Sequence, residues 1–196
     1  MATTRANKSI SDFKSALIGG GASPNLFEVE LTTLPDGVEG WDAEIFRFMC
    51  KGASLPPQTI ASIDVPFRGR TFKVAGDRTI DNWTITVIND ENFAIRNAME
   101  RWSQSIVDLA TNQGQIAPTN YMSSADVFQY SRQKGDGESV GVLKQYKFVD
   151  IFPITVGDIA LSYESGDTIE EFDVEFAVNN IEIFSPGSET NSPVSS

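Results

Sequence analysis

Arg70-Thr71-Phe72-Lys73-Val74-Ala75-Gly76-Asp77-Arg78-Thr79-Ile80-Asp81-Asn82-Trp83-Thr84-Ile85-Thr86-Val87-Ile88-Asn89-Asp90 is the stretch from which the fold is read. Arg70–Val74 and Thr79–Ile88 each read as extended chain, joined by a tight corner at Ala75-Gly76-Asp77-Arg78. In the second run Trp83, Ile85 and Val87 share one face, with Asn82, Thr84 and Thr86 on the other. A period of two built from aromatic and β-branched residues defines a half-buried strand. At Asn89-Asp90-Glu91 the period changes. Ile95, Met99, Trp102, Ile106 and Leu109 then form the apolar stripe of a helix over 91–109. Asn89 or Asp90 can cap that helix, and Asp90 and Glu91 place negative charge at its positive end. Nothing in this unit carries chemistry.

Toward the N-terminus, Ile10, Phe13 and Leu17 make at most a short helix, which Gly19-Gly20-Gly21-Ala22-Ser23-Pro24 stops. Phe27, Val29 and Leu31 alternate with Glu28 and Glu30 as a strand. Residues 44–51 read as a second strand, with 34–43 as the hairpin loop between them. Ser54-Leu55-Pro56-Pro57 turns the chain. Ile63, Val65 and Phe67 alternate with Ser62, Asp64 and Pro66, an edge strand because proline cannot donate to a ladder.

Toward the C-terminus, 127–133 and 140–151 flank Lys134-Gly135-Asp136-Gly137-Glu138 as a hairpin, which Phe152-Pro153-Ile154 ends. Residues 158–163 read as a short strand. In 168–178, Ile169, Phe172, Val174, Phe176 and Val178 point inward against Glu171, Asp173 and Glu175, and 180–184 extends this strand or pairs separately. The expected organisation is a flexible arm with a short helix (1–24), a β domain (25–184) and a disordered tail (185–196). Roughly eight strands and one substantial helix define a mainly β (α+β) protein. The architecture is a β-sandwich or barrel with the helix over one end.

Composition limits the function. The 196 residues, 40% of them hydrophobic, suffice for one buried core. No run approaches the ~20 apolar residues of a membrane span. Met1–Lys8 is followed by no apolar core, so a secretory signal is not expected and synthesis in the cytosol is. Asp and Glu number 27 against 15 Lys and Arg, with no histidine and a formal charge of −12. That balance opposes a phosphate clamp on nucleic acid. Lack of histidine removes the commonest general base and transition-metal ligand. The single cysteine, Cys50, rules out an intrachain disulfide and reads as a buried small hydrophobe.

The remaining constellations read as structure. Glu28/Glu30, Asp64 with Asp81, Glu170/Glu171 and Asp173/Glu175 could suggest a glycosidase pair. They alternate with large apolar residues, however, as on the solvated face of a strand, and such charges also guard edges. Asp158 and Asp167 lack the ligand spacing of a calcium loop. Gly19-Gly20-Gly21 lacks the Lys-Ser/Thr of a phosphate loop. No catalytic residue, cofactor or metal is expected. Arg68, Arg70, Lys73 and Arg78 form the one basic cluster. It pairs either locally with Asp77 and Asp81 or with an acidic face of another copy.

The run from Ala75 to Glu91 closely resembles the central motif of tail tube proteins of contractile-tailed bacteriophages. Similar matches occur at Pro24-Asn25-Leu26-Phe27-Glu28-Val29-Glu30, at Ala53-Ser54-Leu55-Pro56, and at Phe152-Pro153-Ile154-Thr155-Val156-Gly157-Asp158. The resemblance covers about Ile10 to Phe184. It departs in a longer 34–43 loop, the polar first eight residues and the tail from Ser185.

This resemblance implies a sandwich or barrel protomer of the phage tail tube and secretion tube type, closing into hexameric rings. Rings would stack into a tube inside a tail sheath, bounded by baseplate and tail terminator proteins. A tape-measure protein and then DNA would pass through it during genome delivery. Glu28, Glu30, Glu171, Asp173 and Glu175 are the candidate lumen-facing acids. They would repel DNA, which carries one charge per about 1.7 Å, over a screening length of roughly 8 Å. Arg68, Arg70, Lys73 and Arg78 are the candidate assembly contacts, together with the N-terminal arm. Rival readings are a related tube or baseplate tube-initiator, a monomeric acidic DNA mimic, and an enzyme.

Overall fold

The computed structural model describes residues 9–17, 21–32, 34–134, 140–164 and 166–185. In chain order the elements are α1 (Ile10–Ala16), β1 (Phe27–Glu30), α2 (Ala43–Met49), β2 (Cys50–Ala53), β3 (Gln58–Phe67) and β4 (Arg70–Ile80). There follow β5 (Trp83–Ile88), α3 (Ala94–Ile106), β6 (Ser123–Lys134), β7 (Val140–Val156) and β8 (Glu171–Phe184). Six strands form one antiparallel sheet in the order β1-β6-β7-β8-β5-β2, while β3 and β4 form a separate two-stranded ribbon. The outer strands β1 and β2 approach each other, so the sheet curls into a nearly closed barrel. This is the expected fold class.

The interior is filled from the alternating positions. Trp83, Ile85 and Val87 of β5 are buried, as are Phe172, Val174 and Phe176 of β8, Val29 of β1 and Phe148 and Ile151 of β7. Trp83 stacks on Phe148 with ring centroids 4.5 Å apart, within the range where aromatic pairs add to area burial. Helix α3 lies over this core through Ile95, Ala98, Met99 and Trp102. Trp102 meets the ring of Phe176 at 5.8 Å, and its Nε1 donates to Tyr121 O at 2.7 Å.

Several local expectations are corrected. Residues 44–49 are helix and not part of a strand paired across a 34–43 hairpin loop; only Cys50 and Lys51 are strand, in β2, which pairs with β5. Asp42 Oδ1 accepts from the backbone N–H groups of Glu44 and Ile45, and caps α2. Of the residues in α2 only Phe46 is buried, against Trp41 at 4.9 Å. The long helix is shorter than 91–109: Phe93 is left-handed at φ 54°, Asp90 Oδ1 accepts from Ala94 N, and Leu109 lies beyond the end, exposed.

Ala75-Gly76-Asp77-Arg78 is no corner either. Strand β4 runs straight through it, and the pairing slips there between Ile60/Arg78 and Ser62/Ala75. A Cβ on Gly76 would stand 3.1 Å from Ile63 Cγ1 and 3.2 Å from Ala61 O, so glycine permits the close approach. The actual turn is Arg68-Gly69, with φ values of 46° and 79°. Two left-handed central residues suit a two-residue hairpin.

Phe152-Pro153-Ile154 does not end β7. β6 stops pairing at Ile151, so beyond it β7 borders only β8 and Pro153 lies on an edge, where proline is tolerated. Residues 158–163 form no strand, and β8 begins at Glu171, leaving Ile169 exposed; it then runs on through 180–184. The turn at 135–139 and the expected tail beyond 185 lie outside the described residues.

Candidate functional site

Two surfaces stand out, one charged and one apolar. The charged surface is the outer face of the sheet. Burial of Val29 turns Glu28 and Glu30 outward, and burial of Phe172, Val174 and Phe176 does the same for Glu171, Asp173 and Glu175. The register extends this face. Asp126 lies opposite both Glu30 and Lys147, and Lys147 opposite Glu182, so a transverse row of charges crosses β1, β6, β7 and β8.

All five acids expected from sequence therefore share one face, and each is fastened. Arg47 of α2 pairs with Glu28 and, at 3.2 Å, with Glu30. Tyr130 Oη donates to Glu28 Oε2 at 2.6 Å. Lys51 Nζ lies 2.6 Å from Glu171 Oε1. Thr86 Oγ1 donates to Asp173 at 2.7 Å, and Asn82 Nδ2 to Glu175 at 2.8 Å. These donors fix the orientation of the carboxylates. Most donors are neutral, and Arg47, Lys51 and Lys147 are outnumbered, so the face stays net acidic.

The hydrogen bond to Glu28 raises the Arg47 guanidinium further above its ordinary range. Burial, and then the Glu28 bond, push the Tyr130 phenol up to about 12. Reading 44–51 as strand hides the role of Arg47, which the Asp42 cap could have signalled; Lys51 is in strand, and its pairing with Glu171 is long-range and has no local signal.

The apolar surface is the β3–β4 ribbon. Cross-strand pairs Ile63/Val74 and Val65/Phe72, with Phe67, share one side of it. Every residue of β3 is exposed, and Phe67 and Phe72 retain 66% and 68% of their accessible surface. The ribbon also carries all four candidate basic residues. Arg68 stacks over the ring of Phe67 at 5.4 Å, and Arg78 Nη1 reaches Gln58 Oε1 at 3.5 Å. Among the described residues none of Arg68, Arg70, Lys73 and Arg78 forms a salt bridge, so local pairing with Asp77 and Asp81 is not made. Helix α1, closed by a Ser9–Asp12 capping box, likewise buries nothing: Ile10, Phe13 and Leu17 are all exposed.

Among the described residues no group of three His, Cys, Asp or Glu side chains is placed to hold a metal ion. Cys50 is buried, and burial pushes its thiol up to about 12, well away from nucleophilic use.

The fold as a whole is similar to those of components of contractile injection systems. The anti-feeding prophage tube-terminating cap superposes with a TM-score of 0.58 at 17% identity, over 84% of this chain and 91% of that one. The extracellular contractile injection system PVC sheath–tube complex gives a TM-score of 0.56 at 12% identity, over 91% and 99%. Sequence narrows this class. Residues 22–180 match the family described as phage tail tube protein. Over 165 residues the chain is 36% identical to tail tube protein gp19 of Enterobacteria phage T4 and to that of phage T6, covering 82% of this chain and 91% of each relative. The chain belongs to the phage tail tube protein family, and its role is that of a structural component of the phage tail tube.

Proposed function

We propose that the protein closes into hexameric rings that stack into the inner tube of a contractile tail, with the outer face of the sheet as channel wall. Residues 25–184 form the body of each protomer. Residues 1–24 act as an arm that reaches a neighbour. The sheath protein surrounds the tube, baseplate and terminator proteins bound it, and the tape-measure protein and DNA pass through it. The protein is made in the host cytoplasm, carries no catalysis, and contributes surface and rigidity.

One observation carries this reading: the β3–β4 ribbon presents a continuous apolar side that no other described residue covers. An isolated two-stranded ribbon is marginal in water, and contiguous exposed apolar surface marks an interaction site. A subunit whose ribbon and arm are covered by other copies resolves both problems. The acidic wall serves transport, since Glu28, Glu30, Glu171, Asp173 and Glu175 oppose adhesion of a polyanion. The rival acidic mimic would present the same carboxylates from a monomer. Electron microscopy of the purified protein over a concentration series separates the two. Hollow rods of stacked rings are expected; uniform small particles at every concentration would refute assembly.

A further inference from the structure

Building on the tube reading, we propose that the β3–β4 ribbon of one copy seats on the 157–170 connection of a copy in the next ring. The two surfaces stand at opposite ends of β5. The ribbon joins β5 at its Trp83 end, where Asp81 N donates to Pro57 O at 3.3 Å and closes the ribbon's root. The connection is tied to the other end. Ile88 pairs with Glu171, Asn89 N donates to Glu170 O at 2.9 Å, and Asn89 Nδ2 donates to Glu170 Oε2 at 2.9 Å. A subunit with its donor at one end and its acceptor at the other associates head to tail, the heterologous geometry that generates open stacks.

Charge is complementary. Within an acidic chain the ribbon carries Arg68, Arg70, Lys73 and Arg78 against Asp64 and Asp77, whereas residues 157–170 contain four acids and no Lys or Arg. Of these, Asp158, Glu164 and Asp167 are exposed and form no ion pair with a described residue. The apolar chemistry matches too. Leu161, Tyr163 and Ile169 point into solvent, Leu161 at 80% exposure. That suits an aromatic anchor such as Phe67 or Phe72 with a guanidinium over Tyr163. The other uncovered loop, bearing Leu109 and Ile116, does not match. Its one acid, Asp108, already accepts from Ala110 N and Thr111 N.

The test is a charge swap in the full chain. Arg68→Glu with Arg70→Glu reverses the ribbon; Asp158→Lys, Glu164→Lys and Asp167→Lys together reverse the connection. Each variant alone is expected to lose tubes by at least tenfold in pelletable polymer. An equimolar mixture is expected to recover them, because each ribbon then meets a matching connection in alternating layers. Normal tubes from the connection-reversed variant, including tubes that lose only the binding of another protein, would overturn the proposal, as would a mixture that stays unpolymerised. Wild type that never polymerises would instead overturn the tube reading itself. Independently, Phe67→Cys combined with Tyr163→Cys, treated with a short bismaleimide after assembly, is expected to give a ladder of covalent oligomers, with buried Cys50 silent. Assembled tubes that yield only monomer count against this contact.

Discussion

Val65 and Phe72 face each other across the β3–β4 ribbon, directly paired in register, and both are exposed. Their surface is needed by assembly and not by the core. Phe72→Asp should therefore leave the folded protomer intact, with a change in unfolding free energy within about 0.5 kcal/mol, as for other surface positions. It should sharply reduce polymer. Urea denaturation and sedimentation of the same preparation check both halves.

The ribbon's turn gives a second prediction. Arg68 is held at φ 46° and Gly69 at φ 79°. A side chain in the left-handed region costs roughly 1–2 kcal/mol, which asparagine tolerates and a β-branched residue does not. Arg68→Asn should slow amide hydrogen exchange along β3 and β4, and Gly69→Val should speed it.

Trp102 joins α3 to the barrel by packing and by one bond to Tyr121 O. Trp102→Ala should cost about 3–5 kcal/mol through the cavity it leaves. Trp102→Phe retains most of the packing but orphans the Tyr121 carbonyl, and should cost less, about 1–3 kcal/mol. Denaturant titrations of the two variants check the order.

Stability should fall in alkali. Cys50 rises from 9.0 to about 12 and Tyr130 from 10.0 to about 12 in the folded protein. The unfolded chain releases these protons first, so their contribution is complete below pH 9.0 and is lost as pH rises toward 12. Unfolding monitored from pH 8 to 12 should show this decline, flatter in Cys50→Ala and in Tyr130→Phe. Thiol reagents should label native Cys50 only under unfolding conditions.

Period-two alternation made β1, β5 and β8 readable, because one face of each meets a core and the other meets water. The same alternation put the five acids on a single outer face. The strand reading of 44–51 fails at 44–49, where a helix capped by Asp42 buries Phe46 and exposes Phe48. The Gly76 bulge likewise reads as a turn, since glycine serves either purpose and only the steric approach of Ile63 and Ala61 decides. The pairing of Arg47 with Glu28 and Glu30 depends on the packing of α2 beside β1, which no local pattern encodes. The exposure of Ile63, Val65 and Phe67 is hidden for a different reason. Sequence shows that a residue is to be buried, but not whether its own chain or another copy buries it.

The central claim is that the fastened carboxylate face lines the channel of a stacked tube. A cryo-electron reconstruction of the assembled protein tests it most directly. The inner wall is expected to be the outer face of the sheet, net acidic, with Glu28, Glu30, Glu171, Asp173 and Glu175 on the channel. A tube whose inner wall is net basic, or whose carboxylate face points outward, would contradict it.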